Sequence, residues 1–499
     1  MSNTDRVPTP NQWKEHIKRL TAGGASYADV RYYSEDLSGN ISLHNGNLVN
    51  PYSGGSGIAQ QSESGYGVRC LYGGAWGFAA SSDPAQITAT FDRALDNAKT
   101  AAGRVSFPIR LADKEVLSGE FVSPCARDPF DVPIEEQIAF LNGLDAVLNQ
   151  TGVAQRAINL SATRTKIEYY DSEGAEIRKQ IINFFPSMTV MGRGTSGDMQ
   201  RRTYKPPRLG ESRGWEIMDP EHWHTEGERL VRELNELLVA PACPVDTRSV
   251  IILPDMMFLQ VHETIGHALE LDRILGYELS FAGGSFVRLE DFGNLQYGST
   301  RLTARADATV PNSPGSFGYD DDGVAAQNRL LIDRGTLVGA ISSRQTVTEA
   351  NAKAGRDIFA GSGGANRACA FNRTPIERMT NINIDPGNDG NLDDIIADTE
   401  RGIIVSGDRS WSIGSNREQF HFATEIAWLV EDGKRCGVVR NPSYQGMTLD
   451  FYRSLTAVGD ASTWEVHYVP NCGKGAPGQI MQLGHGIPVC RFDNVKVGE

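Results

Sequence analysis

The sequence predicts an α+β protein: an N-terminal helix and antiparallel-sheet region, followed by a β-rich C-terminal domain that carries one conspicuous helix. Three observations point there. Strand-like runs punctuated by Gly, Asn and Asp turns recur along the chain, and glycine, at 53 of 499 residues, exceeds its usual share of about 7%. Only a few segments show the three-and-four apolar spacing of an amphipathic helix. Beyond residue 275 the pattern is mainly alternating strand. Hydrophobic residues make up 40% and charged residues 22% of the chain, the balance of an ordinary globular protein. At about 150 residues per domain, the length allows two to four domains.

The elements follow in order. Thr9 caps a first helix, Pro10 suits its first turn, and Trp13, Ile17 and Leu20 share a face before Gly23-Gly24 ends it. Strand patterns occupy 28–33 and 41–49, the second folding over Asn45-Gly46, a hairpin signal. More β pattern runs through 65–79. Pro84 opens a second helix with Ile87, Phe91, Leu95 and Ala98 on one stripe. The proline-bearing stretch 103–133 reads as a boundary. A third helix turns Ile138, Leu141, Leu144 and Leu148 inward, strands occupy about 157–195 with a turn at 171–174, and a helix near 225–239 carries Leu230, Leu234, Leu237 and Leu238. Helix, strands, helix thus occurs twice before residue 240, which suggests an internal duplication. Pro241, Cys243 and Pro244 mark the next boundary. The expected division is 1–110, 111–240 and 241–499, the last being the β-rich catalytic domain.

Composition narrows the function. Lys+Arg number 48 against 62 Asp+Glu, for a net charge of −14. A nucleic-acid binder needs a basic stripe, so that class is set aside. No run approaches 18 apolar residues, so no membrane span is expected. The first twenty residues lack the apolar core of a secretory signal. Seven scattered cysteines without a CxxC pair fit a reducing cytosol, and a cytoplasmic protein is expected.

Chemistry concentrates in one helix. A short strand at 249–253 leads into Pro254-Asp255, a helix start. Phe258, Val261, Ile265 and Leu269 form its apolar stripe, and His262, Glu263 and His267 lie off it. Two histidines with a glutamate after the first are the parts of a zinc hydrolase: imidazoles hold the ion and the carboxylate takes a proton from water. In HExxH the histidines stand about 40° apart around the helix. Here they are i and i+5, about 140° apart at the same pitch. A regular helix cannot aim both at one ion, so the spacing predicts a π-bulge, with Gly266 marking where distortion costs least.

A third ligand is required. Glu270, Asp272, His421, His467, His485 and the cysteines qualify by type. Cys472 stands out, because Pro-Asn-Cys-Gly-Lys-Gly reads as an exposed loop and thiolate is a good zinc ligand. Glu270 and Asp272 read as groups that orient an imidazole or cap the helix end, with an Asp272–Arg273 surface ion pair as the plain alternative. His485, in a Gly-flanked turn, reads as an exposed loop histidine, with help in substrate binding as the alternative, and Asp320–Asp322 as an acidic turn, with a bound cation as the alternative.

Six segments, in order, carry a resemblance: GYGVRCLYGGAWGFA (65–79), HETIGHALELD (262–272), YDDDG (319–323), ERMTNINIDPG (377–387), ATEIAWLVEDGK (423–434) and NCGKGAPGQIMQLGHGIPVCRFDNVKVG (471–498). The chain resembles the TldD/PmbA (TldD/TldE) family of zinc metalloproteases, in its catalytic, TldD-type branch. The resemblance implies Zn²⁺ on His262, His267 and Cys472 with Glu263 as base. It also implies cleavage of peptides or unfolded protein segments inside a hollow dimer, either with a TldE/PmbA-type subunit or as a homodimer. Glu425 carries over only as a structural match. The chain departs from the family where Arg367 is followed by Ala368 instead of a second arginine, and at 311–316 and 410–420. The rival readings are another HExxGH-type peptidase with a carboxylate third ligand and a non-catalytic zinc-binding partner subunit.

Overall fold

The computed structural model describes residues 8–50, 57–105, 107–207, 213–281 and 283–498. Helix α1 (Pro10–Ala22) begins at a capping box in which Thr9 accepts from the Gln12 backbone and the Gln12 side chain accepts from the Thr9 backbone. It buries the predicted face of Trp13, Ile17 and Leu20. Then come β1 (Tyr27–His44), β2 (Asn47–Val49), β3 (Ala59–Tyr72), β4 (Ala75–Ser81) and α2 (Ile87–Ala102), and next β5 (Ser118–Val122), α3 (Ile134–Leu148), β6 (Gln155–Asp171), β7 (Glu176–Arg193), β8 (Met199–Tyr204) and α4 (Pro220–Val239).

All eight strands belong to one sheet of order β4-β3-β1-β6-β7-β5, with β2 on β1 and β8 on β7. The long antiparallel β1–β6 pair runs from Asp29↔Asp171 to His44↔Ala157. On one side of it lie β3 and β4, on the other β7 and β8, so the helix–strands–helix order read twice from the sequence unfolds outward from that pair. Hydrophobic residues of α1 and α2 (Trp13, Ile17, Phe91, Ala94) pack with β1 and β3. Those of α3 and α4 (Leu141, Leu144, Leu230, Leu234) pack with β6 and β7. The sheet runs on across residue 110, and β1 serves both layers: Ala28 and Val30 pack in the first, Ile41 and Leu43 in the second.

Beyond it, β9 (Asp246–Ile252) sits inside a seven-stranded sheet, parallel to Arg401–Ile413 and antiparallel to Cys490–Val497. Val250, Ile251 and Ile252 are fully buried, as expected of a short apolar strand covered on both faces. Helix α5 (Pro254–Val261) leaves the end of this strand. A separate hairpin, Glu465–Lys474 with Gln479–Ile487, packs nearby.

Buried ion pairs join the first sheet to the C-terminal part. Arg69 reaches both Asp29 (2.6 Å) and Asp322 (2.7 Å). Asp321 takes Lys179 at 2.6 Å and Arg31 at 3.6 Å. Glu425 accepts from Arg201, Arg202 and the Thr203 backbone. Asp320–Asp322 is an acidic turn, and a buried one that acts as a clamp: Asp320 accepts from the backbone N–H groups of Asp322, Val324 and Asn366, and its neighbours carry the ion pairs.

Candidate metal centre

The end of α5 is irregular in the way the histidine spacing demands. Residues His262–Gly266 form a π turn, closed by the His267 N–H donating to the His262 carbonyl five residues back. A 3₁₀ turn, His267–Leu269, follows. The extra residue brings the two imidazoles onto one side, with ring centroids 4.7 Å apart. Side chains satisfy backbone groups around the bulge: Thr264 Oγ1 donates to the Gln260 carbonyl at 2.5 Å, and the Tyr297 hydroxyl donates to the Thr264 carbonyl. Gly266 itself has ordinary helical angles, φ −55° and ψ −65°. Its role is steric, since a Cβ there would collide with the Met379 sulfur.

Cys472 lies in a strand of the hairpin, not in an exposed loop. A one-residue register shift between Val469 and Cys472 forms a bulge, a device that re-aims a side chain. Its Sγ stands 3.7 Å from His267 Nε2. One ligand atom from each of His262, His267 and Cys472 falls within 4.8 Å of the other two. Around a single zinc ion, with Zn–N near 2.0–2.1 Å and Zn–S near 2.3 Å, tetrahedral donors stand about 3.3–3.7 Å apart. The donor types and the compactness of the cluster fit that ion. His262, Glu263, His267 and Cys472 are all buried, at 3%, 8%, 6% and 4% exposure.

The remaining candidates lie outside that group of three. His421 is on the strand Gln419–Glu431 and borders a different cleft, with Asp198, Cys243 and Asn441. His467 stacks on Phe258 and pairs with Glu465. A cleft of about 740 Å³ borders Phe258 and His467, at the other end of α5 from the cluster. Glu270 Oε2 accepts from His267 Nδ1 at 2.9 Å and from Arg273 Nε at 2.6 Å. Lys474 Nζ lies 3.1 Å from Glu270 and 2.8 Å from Asp272, so Asp272 pairs with Lys474 where an Arg273 partner was the alternative. His485, expected on an exposed loop, is fully buried, with Nε2 3.0 Å from His262 Nδ1. Sequence reasoning gave no role to Lys474, to Met379, or to Arg378, whose guanidinium donates to the carbonyls of Cys472 and Gln479. Their one signal was membership of the C-G-K and R-M-T-N stretches.

Burial and neighbouring charge shift how readily the donors hold protons. Burial pushes the pKa values of His262 and His267 below the ordinary imidazole range. Burial alone would raise the Cys472 thiol, but His267 and then Arg378 bring it below its usual value. Burial also opposes ionisation of Glu270, yet Lys474 and Arg273 hold it well below the usual carboxylate range. The carboxylate that orients His267 is therefore an anion at neutral pH.

Comparison with known proteins follows the same line. A family model described as the PmbA/TldA metallopeptidase C-terminal domain matches residues 246–499, and one described as PmbA/TldA metallopeptidase domain 1 matches 28–102. A metalloprotease of Methanocaldococcus jannaschii is 29% identical over 477 residues, covering 95% of this chain and 97% of its own. A metalloprotease TldD homolog of Buchnera aphidicola is 27% identical over 380 residues, 73% of this chain and 72% of its own. TldE from Thermococcus kodakarensis shares the fold, with a TM-score of 0.69 at 16% identity over 97% of this chain and 99% of that one. A family match over more than half the sequence, carrying the π turn and the hairpin together, places this chain in the PmbA/TldD metallopeptidase family.

Proposed function

We propose that this chain is a zinc-dependent peptidase that hydrolyses peptide bonds in peptides or unfolded protein segments. The observation that carries the reading is the π turn, which sets His262 and His267 beside Cys472. In the proposal these three side chains hold Zn²⁺. When bound, the ion supplies Lewis acidity toward water and toward the scissile carbonyl. Glu263 accepts the proton of the attacking water at its carboxylate and passes it to the nitrogen of the leaving amine. Glu270 and Arg273 keep the His267 ring oriented. An extended substrate adding to an exposed strand edge would be recognised mainly through its backbone, giving broad sequence tolerance.

A carboxylate third ligand is the weaker reading, because Glu270 and Asp272 are already engaged by His267, Arg273 and Lys474. A non-catalytic partner subunit would have no use for Glu263 in the turn. Pairing with a TldE/PmbA-type subunit, or with a second copy, in the cytosol completes the proposal. Metal analysis combined with cleavage of an unfolded peptide tests it. Glu263→Ala should retain zinc and lose cleavage, whereas Cys472→Ala should lose both. Undiminished cleavage by Glu263→Ala would remove that residue from the mechanism.

A further inference from the structure

We propose that His485 is a positioning residue that sets the tautomer of His262. This deepens the reading above and rests on it. His485 is fully buried and its ring bridges two fixed groups. Nδ1 lies 2.9 Å from the Ile382 carbonyl oxygen, and Nε2 lies 3.0 Å from His262 Nδ1. A carbonyl only accepts, so Nδ1 of His485 carries the ring proton. A neutral imidazole has one N–H, so Nε2 of His485 is an acceptor and His262 Nδ1 is the donor. His262 is then left with a bare lone pair on Nε2, the form a metal requires. The Ile382 N–H, 3.3 Å from the same Nδ1, would favour the opposite chain of protons, with Nε2 of His262 blocked. The proposed tautomer is the one that serves the shorter, 2.9 Å contact to the carbonyl.

The hairpin holds His485 in that place from both sides. A Cβ at Gly484 would collide with the Ser313 hydroxyl, and one at Gly486 with the Trp464 ring. The Gly486 N–H donates to Asn383 at 2.6 Å, and Asn381 bridges to Gly484. The two imidazoles of the cluster thus have unlike supports: His267 donates to the anionic Glu270, His262 to a neutral ring ending on a peptide carbonyl.

The test is titration of the metal-free, full-length chain with Zn²⁺ against a competing chelator, alongside the thermal midpoint of each metal-free variant. His485→Phe and His485→Ala remove the acceptor and should weaken Zn²⁺ binding about 10–100-fold. His485→Gln keeps an acceptor for His262 and a donor for Ile382, and should stay close to wild type. If Phe lowers the metal-free midpoint, the Ala and Gln pair decides. Wild-type affinity in both Phe and Ala, or Gln as weak as they are, overturns the proposal. Failure of the wild-type chain itself to take up Zn²⁺ would instead overturn the metal reading beneath it.

Discussion

At Gly266 the limiting contact is with a methionine sulfur. Since Gly266, although in the π turn, has φ and ψ that any residue adopts, Gly266→Ala should act through crowding of Met379, costing about 1–3 kcal/mol. Thermal unfolding should show a lowered midpoint that Met379→Ala partly restores; no rescue would place the strain elsewhere. At the same scale, the π turn at His262–Gly266 was legible because an i, i+5 histidine spacing is incompatible with a regular helix around one ion and so announces its own bulge. His485 was not legible. Nothing local tells a histidine between two glycines that a ring 223 positions earlier lies 3.0 Å away. Flanking glycines usually mean a turn, and here they mean close packing.

Among the elements, the helices up to the metal cluster followed from periodicity and caps, but Arg344–Ala354, Leu392–Ala397 and Thr448–Arg453 are helices in a stretch read as alternating strand, and the hairpin Glu465–Lys474/Gln479–Ile487 was read as a loop around Cys472. Its glycines, proline and asparagine are loop residues by composition, yet a register shift turns them into a strand that delivers Cys472 to the helix. Lys474 locks the two elements together. It contacts Glu270, Asp272 and the Glu377 carbonyl, and the Glu377 carboxyl, pushed up to about 8 by burial and then by Asp272, shows how crowded with acid the spot is. Lys474→Met should cost about 3–5 kcal/mol, because it strands buried carboxylates, and should weaken Zn²⁺ uptake as Glu270 loses a partner. Calorimetry of the metal-free chain and zinc titration would read the two effects separately. A variant with unchanged midpoint and unchanged uptake would refute the lock.

Across the whole molecule, the sequence motifs far from the metal cluster turn out to be structural. Arg69 of the G-Y-G-V-R stretch and the D-D-D-G turn meet in the clamp between the first sheet and the C-terminal part. The sequence showed both motifs but not their meeting, since long-range charge pairing leaves no periodic trace. Asp321→Asn should destabilise by about 3–5 kcal/mol, leaving Lys179 and Arg31 buried without their anion. Burial alone would raise the Asp321 pKa, but Lys179 and Arg31 hold it below its ordinary value. Its contribution is therefore present above the unfolded value near 3.9 and lost as the pH falls through the lower folded one. The thermal midpoint of Asp321→Asn should fall less steeply with acid than that of the native chain; parallel curves would contradict the assignment. All of this scaffolding serves one grouping of donors, and X-ray absorption at the zinc edge of the loaded, full-length chain tests that grouping most directly. The expected spectrum has one sulfur at about 2.3 Å and two imidazole nitrogens at about 2.0–2.1 Å from the ion. A shell of nitrogen and oxygen alone, with no sulfur, would contradict it.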